Sequence, residues 1–259
     1  MIKEEFVQLF GYKDLLINLV FRDLTVRYRR SVLGFAWTMV HPLINTIVFT
    51  IVFSTVFRFG VKDFVIYFLS GYQLWLLFSQ STMLSSRCII SNGQLLRKVY
   101  LPKTIFVFSI LFSELVNFFL AMLPLLALVM IIGKGLTPAL LFLPIPIMIM
   151  GVFILGISFI LAAASVFFHD IMDIYQLLLM PWMYLTPIFY PLEIVPAKFL
   201  PILRLNPMYY IIDCFRTPIY LGHLPPFVHV VWAGLSALAI FMVGIFLFAK
   251  WADDFIYYI

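Results

Sequence analysis

Glu114 is the acid that lies deep inside a long apolar stretch, and Asn117, three residues on, shares its helical face. An ionised carboxylate in hydrocarbon is expensive, so the position demands a partner, water or a proton. Proton-coupled transport would use such a group. No second acid and no Lys or His relay lies deep in the other apolar stretches, which favours a structural or subunit-contact role. The remaining groups able to do chemistry are dispersed. His41, His169, His223 and His229 fall on separate segments, with no His-Glu-x-x-His helix and no serine nucleophile elbow. His169, Asp170 and Asp173 gather at the end of one apolar stretch, where helix capping and solvation account for them. Gly133-Lys134-Gly135 lacks the spacing and the following hydroxyl of a phosphate-binding loop, so the chain has no nucleotide-hydrolysing motif of that kind.

The elements that must hold these residues are set by composition. Of 259 residues 64% are hydrophobic and 11% charged, with a mean hydropathy of +1.09; a water-soluble domain carries about 25% charged residues. A bilayer core roughly 30 Å thick needs about 20 apolar residues per helix. Six stretches qualify, at 34–57, 64–84, 105–132, 139–167, 174–190 and 227–249, which predicts one all-α integral membrane domain over 1–259. With the N-terminus inside, 11 of the 17 Lys and Arg fall on the inner side, so both termini are expected in the cytoplasm. Cys88 and Cys214 then lie on opposite sides, which excludes a disulfide between them, and neither has metal-ligand spacing. The charged N-terminal residues do not read as a removed signal peptide.

Three segments outside the spans carry pattern. In residues 1–32, Asp14, Asn18, Arg22, Thr25 and Arg29 recur at four- or three-residue spacing, as in an amphipathic helix lying in the membrane interface, and Asp23 and Arg27 form an acid-first pair four apart. A plain positive-inside anchor stays open beside this reading. Residues 90–101 predict a short helix capped by Ser91 or Asn92 and stopped before Pro102, able to dock into a groove on another protein or to serve as a basic loop. From Thr186 to Tyr220, six prolines punctuate apolar pieces too short to span, which predicts short re-entrant helices forming an outer gate, or an ordered extracellular loop. Trp182, Tyr184, Phe189, Tyr190, Tyr209 and Tyr210 gather toward the outer half of the fifth stretch and after it, as an interfacial aromatic belt does and as a passage for sugar rings would.

The order of these pieces resembles a known family. Arg22-Asp23-Leu24-Thr25-Val26-Arg27-Tyr28-Arg29-Arg30-Ser31-Val32-Leu33-Gly34-Phe35-Ala36-Trp37, leading into Pro42-Leu43, resembles the entry to the permeases of ABC-2-type exporters, above all those moving lipid-linked O-antigen, capsule or teichoic-acid polymers. Asn92-Gly93-Gln94-Leu95-Leu96-Arg97-Lys98-Val99-Tyr100-Leu101-Pro102-Lys103 resembles their short coupling helix. Leu185-Thr186-Pro187-Ile188-Phe189-Tyr190-Pro191 and Asn206-Pro207-Met208-Tyr209-Tyr210 resemble the edges of their outer gate. The likeness covers almost the whole chain.

The resemblance implies a homodimer in the bacterial inner membrane, served by two copies of a separate ATPase that uses ATP and magnesium, with no cofactor or metal on the permease itself. It implies that Asn92, Gly93, Gln94, Leu95, Leu96, Arg97, Lys98 and Tyr100 contact the ATPase. Arg22, Asp23, Arg27, Arg29 and Arg30 would lie on the interface helix. Trp182, Tyr184, Pro187, Phe189, Tyr190, Asn206, Pro207, Tyr209 and Tyr210 would belong to the outer gate or passage, segment 191–220. Within the same superfamily, drug, haem and small-lipid exporters share the plan. An ion-coupled secondary transporter would need midplane coupling sites and inverted repeats, and no repeat is visible. A membrane-embedded glycan-modifying enzyme would need a facing acid, base or metal cluster, and none emerges.

Overall fold

The computed structural model describes residues 11–29, 31, 34–52, 62–99, 101–132, 135 and 137–258, and these are helical with no strand among them. In chain order the helices are α1 (Lys13–Tyr28), α2 (Ala36–Thr50), α3 (Phe64–Ser91), α4 (Gly93–Leu96), α5 (Thr104–Ile131), α6 (Pro144–Phe167), α7 (Ile171–Tyr184), α8 (Leu200–Leu205), α9 (Pro207–Tyr220), α10 (Phe227–Trp251) and α11 (Phe255–Tyr258). Short 3-10 turns at Pro138–Phe142, Leu192–Ile194, Ala197–Phe199 and Ala252–Asp254 fill the connections.

Helix α3 is the hub, packed against α2, α5, α6, α7 and α9. Its residues Ile66, Phe68, Leu69, Leu74, Phe78 and Ile89 are fully enclosed. A helix with most of its residues buried presents little surface to lipid, so it tolerates Ser70, Gly71, Gln73, Ser81, Thr82, Ser85 and Ser86, all buried. Several hydroxyls are silenced by their own helix: Ser70 donates to the Tyr67 carbonyl at 3.0 Å, Thr82 to Phe78 at 2.7 Å and Ser86 to Met83 at 2.7 Å. Others stitch helices together, since Tyr175 of α7 donates to the Thr82 hydroxyl at 2.7 Å, Ser165 of α6 to the Ser86 carbonyl, and Gln73 to the Ala121 carbonyl of α5.

Around this hub, among the described residues, stand three stretches long and apolar enough to cross a membrane, Thr104–Ile131, Pro138–Phe167 and Phe227–Asp254. They fall on the ranges 105–132, 139–167 and 227–249 expected from sequence. Large apolar side chains point outward from them, Phe119 and Leu123 on α5, Met148 on α6, and Phe227, Trp232, Met242 and Phe246 on α10. Such a belt has no place in water and suits lipid or another protein surface. Over the ranges 64–84 and 174–190 the helices have other bounds. Helix α3 continues to Ser91, because nothing breaks it before Asn92-Gly93, whereas α7 stops at Tyr184. Pro187 disfavours the α region at Thr186, and the Ile188 amide turns back to the Thr186 carbonyl at 2.7 Å. Residues 53–57 of the first range lie outside the described residues.

Helices α6 and α10 touch backbone to backbone at Gly156 and Gly244. A Cβ on Gly156 would sit 2.6 Å from the Phe241 amide nitrogen, with no flexible side chain to yield. Gly156→Ala is therefore expected to cost about 1–3 kcal/mol, read as lowered thermal unfolding of the detergent-solubilised protein. Gly234→Ala, with nothing within 4 Å of the added carbon, leaves that transition in place.

Candidate functional site

The functional candidates sort to the two ends of α3, roughly 40 Å apart at 1.5 Å per residue. At the Asn92 end, α1 docks on the bundle through polar side chains. Arg27 forms an ion pair with Glu114, which is 2% exposed; Asn117 donates to the other Glu114 oxygen at 3.4 Å, and the Tyr28 hydroxyl donates to the Asn117 side chain at 2.9 Å. Leu19 and Leu24 bury the apolar side of the same helix. The acid that the apolar stretch could not solvate is thus satisfied by a cation from a different segment.

Arg22 makes the second tie, donating to the Asn92 side chain at 3.0 Å and to Asp23 at 2.8 Å and 3.0 Å. The Asp23–Arg27 pair expected from spacing is replaced by Arg22–Asp23 and Arg27–Glu114, because the buried carboxylate needs the cation more than an exposed helix face does. Asn92 is not the side-chain cap expected for the following helix. It donates back to the Cys88 carbonyl at 2.8 Å and so closes α3. The expected helix over 90–101 is accordingly divided between the last turn of α3 and the four residues of α4. Gly93 and Leu96 face inward, Leu95 is half-buried, and Gln94, Arg97 and Lys98 are exposed as an outward polar surface. Arg29 is exposed; Arg30 and Tyr100 lie outside the described residues. Two cavities flank the Arg27–Glu114 pair, one of about 580 Å³ that includes Arg22, Arg87 and Asn92, and one of about 370 Å³ that includes Trp37, His41 and Gln73.

At the Tyr67 end, Asn206 uses its whole side chain. Its oxygen accepts from Trp182 Nε1 and from the Met208 amide, both at 3.1 Å, and its nitrogen donates to the Thr186 hydroxyl at 2.8 Å and the Leu185 carbonyl at 3.3 Å. This caps α9, whose first residue Pro207 has no amide to satisfy, and pins it to the end of α7. Trp182 packs against Trp75, Phe78 and Phe153; Phe189, 1% exposed, packs against Phe68 and Tyr184; Tyr190 donates to the Tyr184 carbonyl at 2.7 Å. Tyr209 is buried against Tyr210 and His229. Pro187 offers its carbonyl to Arg216 at 2.8 Å.

The ABC-2 type transporter family model matches residues 14–220, most of the chain and both ends of α3. The chain belongs to that family. Among relatives of this ABC-2 chain, an O-antigen export system permease protein of Myxococcus xanthus is 34% identical, over 84% of the present chain and 85% of its own. An O-antigen export system permease protein of Klebsiella pneumoniae is 28% identical over 92% of each chain. A capsule polysaccharide export inner-membrane protein of Neisseria meningitidis serogroup B is 23% identical over 90% and 89%.

Sequence reasoning missed how this ABC-2 chain uses Arg216. The residue is buried, its guanidinium 3.8 Å from the Tyr67 ring centre, and it donates to the carbonyls of Pro187 and Ile188. Gly71 makes room, since a Cβ there would collide with the guanidinium. The available signal was a cation in an apolar helix three residues after Asp213, yet that spacing points to a local pair. In the structure Asp213 turns to His229 instead, at 2.7 Å.

The ion pair at the Asn92 end is asymmetric, with Glu114 enclosed and Arg27 one-third exposed. Removing the cation strands a buried charge, whereas removing the acid leaves a guanidinium that reaches polar surroundings. Arg27→Gln is expected to destabilise by about 3 kcal/mol and Glu114→Gln by about 1 kcal/mol, with the double variant recovering part of the loss. Chemical unfolding in mild detergent measures all three.

Proposed function

We propose that this chain is the permease subunit of an ATP-driven exporter that carries a lipid-linked, O-antigen-like polysaccharide across the bacterial cytoplasmic membrane. The observation that carries the reading is similarity to O-antigen export permeases across more than four fifths of both chains; the capsule-export relative points to the same cargo class. Two copies enclose the path, each with six spans and both termini in the cytoplasm, and two copies of a separate ABC ATPase supply the energy. The permease changes no bond.

In this reading the exposed Gln94, Arg97 and Lys98 meet the ATPase. Closure of the ATPase pair displaces α4, and the displacement passes along two routes: directly into α3, which Asn92 closes, and through Arg22 and Arg27 into α1 and α5. A packed bundle with two arrangements converts a small push at one end into opening at the other. The segment 191–220, pinned by Asn206 and Arg216, gates the outer exit.

Coexpression with the ATPase from the same gene cluster tests the reading. Arg97→Glu and Lys98→Glu are each expected to lower ATPase copurification and surface glycan at least tenfold while leaving permease abundance unchanged. Wild-type export from both variants removes the coupling assignment, and failure of the wild-type permease to restore surface glycan in a null strain removes the polysaccharide assignment.

A further inference from the structure

A cavity of about 630 Å³ at the Tyr67 end takes no part in the coupling junction, and it has the size of a small-molecule site. Its wall carries charges of both signs, Lys62 and Arg216 against Glu193 and Asp213, with Tyr67 and Tyr220 between them. The two tyrosines build the wall. The Tyr67 face is covered by the Arg216 guanidinium and its ring meets Tyr220 edge-on at 5.4 Å. Their hydroxyls are used on the carbonyls of Tyr190 at 2.9 Å and Lys62 at 2.6 Å.

What stays open is polar and mixed in sign. One Asp213 oxygen binds His229, and the other has no hydrogen bond among the described residues. Arg216 directs its two terminal nitrogens to carbonyls, each keeping a second N–H, while its Nε is enclosed without an acceptor. The carboxylate of Glu193, which is exposed, and the ammonium of Lys62 make no ion pair among the described residues. Burial, then the Asp213 carboxylate, push the hydroxyl of Tyr209 in the same wall up to about 12, so it remains a neutral donor. An anion entering here faces two carboxylates, and a cation faces a guanidinium and an ammonium. A neutral polyol meets both demands, because every hydroxyl donates one hydrogen bond and accepts others.

We propose that this cavity is a subsite for a neutral hexopyranose ring, with Asp213 and Glu193 accepting from ring hydroxyls and Lys62 and Arg216 donating to them. The assignment deepens the polysaccharide-export reading and rests on it for its biological meaning: one sugar of the passing polymer is held at the end opposite the coupling loop. The carbonyls of Pro187 and Ile188 and the Tyr67 ring hold Arg216 in place before any sugar arrives, which lowers the ordering cost of binding.

Saturation-transfer NMR of the full-length protein in lipid nanodiscs tests the subsite, with the methyl glycosides of glucose, galactose, mannose and rhamnose as probes and methyl glucuronoside and glucosamine as charged counterparts. The expected result is transfer to at least one neutral glycoside, weakened at least fivefold by Asp213→Asn and by Lys62→Gln, with the charged counterparts at least fivefold weaker. Lys62 is exposed and its ammonium has no partner among the described residues, so Lys62→Gln reports on the site even if loss of the Asp213–His229 pair disturbs folding. No transfer to any neutral glycoside, equal transfer to wild type and Lys62→Gln, or a charged counterpart binding best would overturn the proposal. Sugar binding without restored surface glycan in the null strain removes the export reading and leaves the subsite standing.

Discussion

A carboxylate enclosed within an apolar helix is the constraint from which the Asn92 end of the molecule follows. Glu114 is placed where neither lipid nor water can serve it, so its charge is tolerable only if a cation is brought to it. That cation is Arg27, on a helix otherwise free to lie on the membrane surface. Once Arg27 is committed, Tyr28 reaches Asn117 and Arg22 reaches Asn92, and the N-terminal helix becomes a strut between α5 and the end of α3. The strut meets the bundle beside α4 and ties both α5 and the end of α3 to one segment.

The opposite end is organised by a similar need with different chemistry. Arg216 is a buried cation, and instead of a carboxylate it has two carbonyls, freed where α7 ends at the Thr186-Pro187 turn, and the face of Tyr67. Those carbonyls lack helical partners because the chain breaks there, so each group supplies what the other lacks. Asn206 performs the corresponding service for the other side of the same break. Helix α3 connects the ends, and its polar lining of Ser, Thr, Gln and Gly permits close neighbours on all sides. The consequence is a hub that is rich in polar and small residues although most of them are buried.

Much of this was legible in the sequence. The outer apolar helices announce themselves because lipid imposes a composition on whatever faces it, and α5, α6 and α10 fall where hydropathy puts them. The Asn92-Gly93 break and the proline-rich segment after Thr186 are likewise local chemistry. Glu114 could be identified as a group in need of a partner. The partner could not, because the nearest spacing rule joined Arg27 to Asp23, and local spacing carries no information about a carboxylate 87 residues away. Arg216 was obscured for the same reason, with Asp213 three residues before it as a false local match.

The sequence by itself determined that the chain is a helical membrane protein, where its breaks fall, and which family it resembles, since each of these depends on the solvent around a residue or on its immediate neighbours. Only the tertiary structure decided which charge answers which: Arg27 with Glu114, Arg22 with Asn92, Asp213 with His229, and Arg216 with the carbonyls of a broken helix. In a low-dielectric bundle a buried charge accepts whichever partner the packing delivers, and packing is a property of the whole fold.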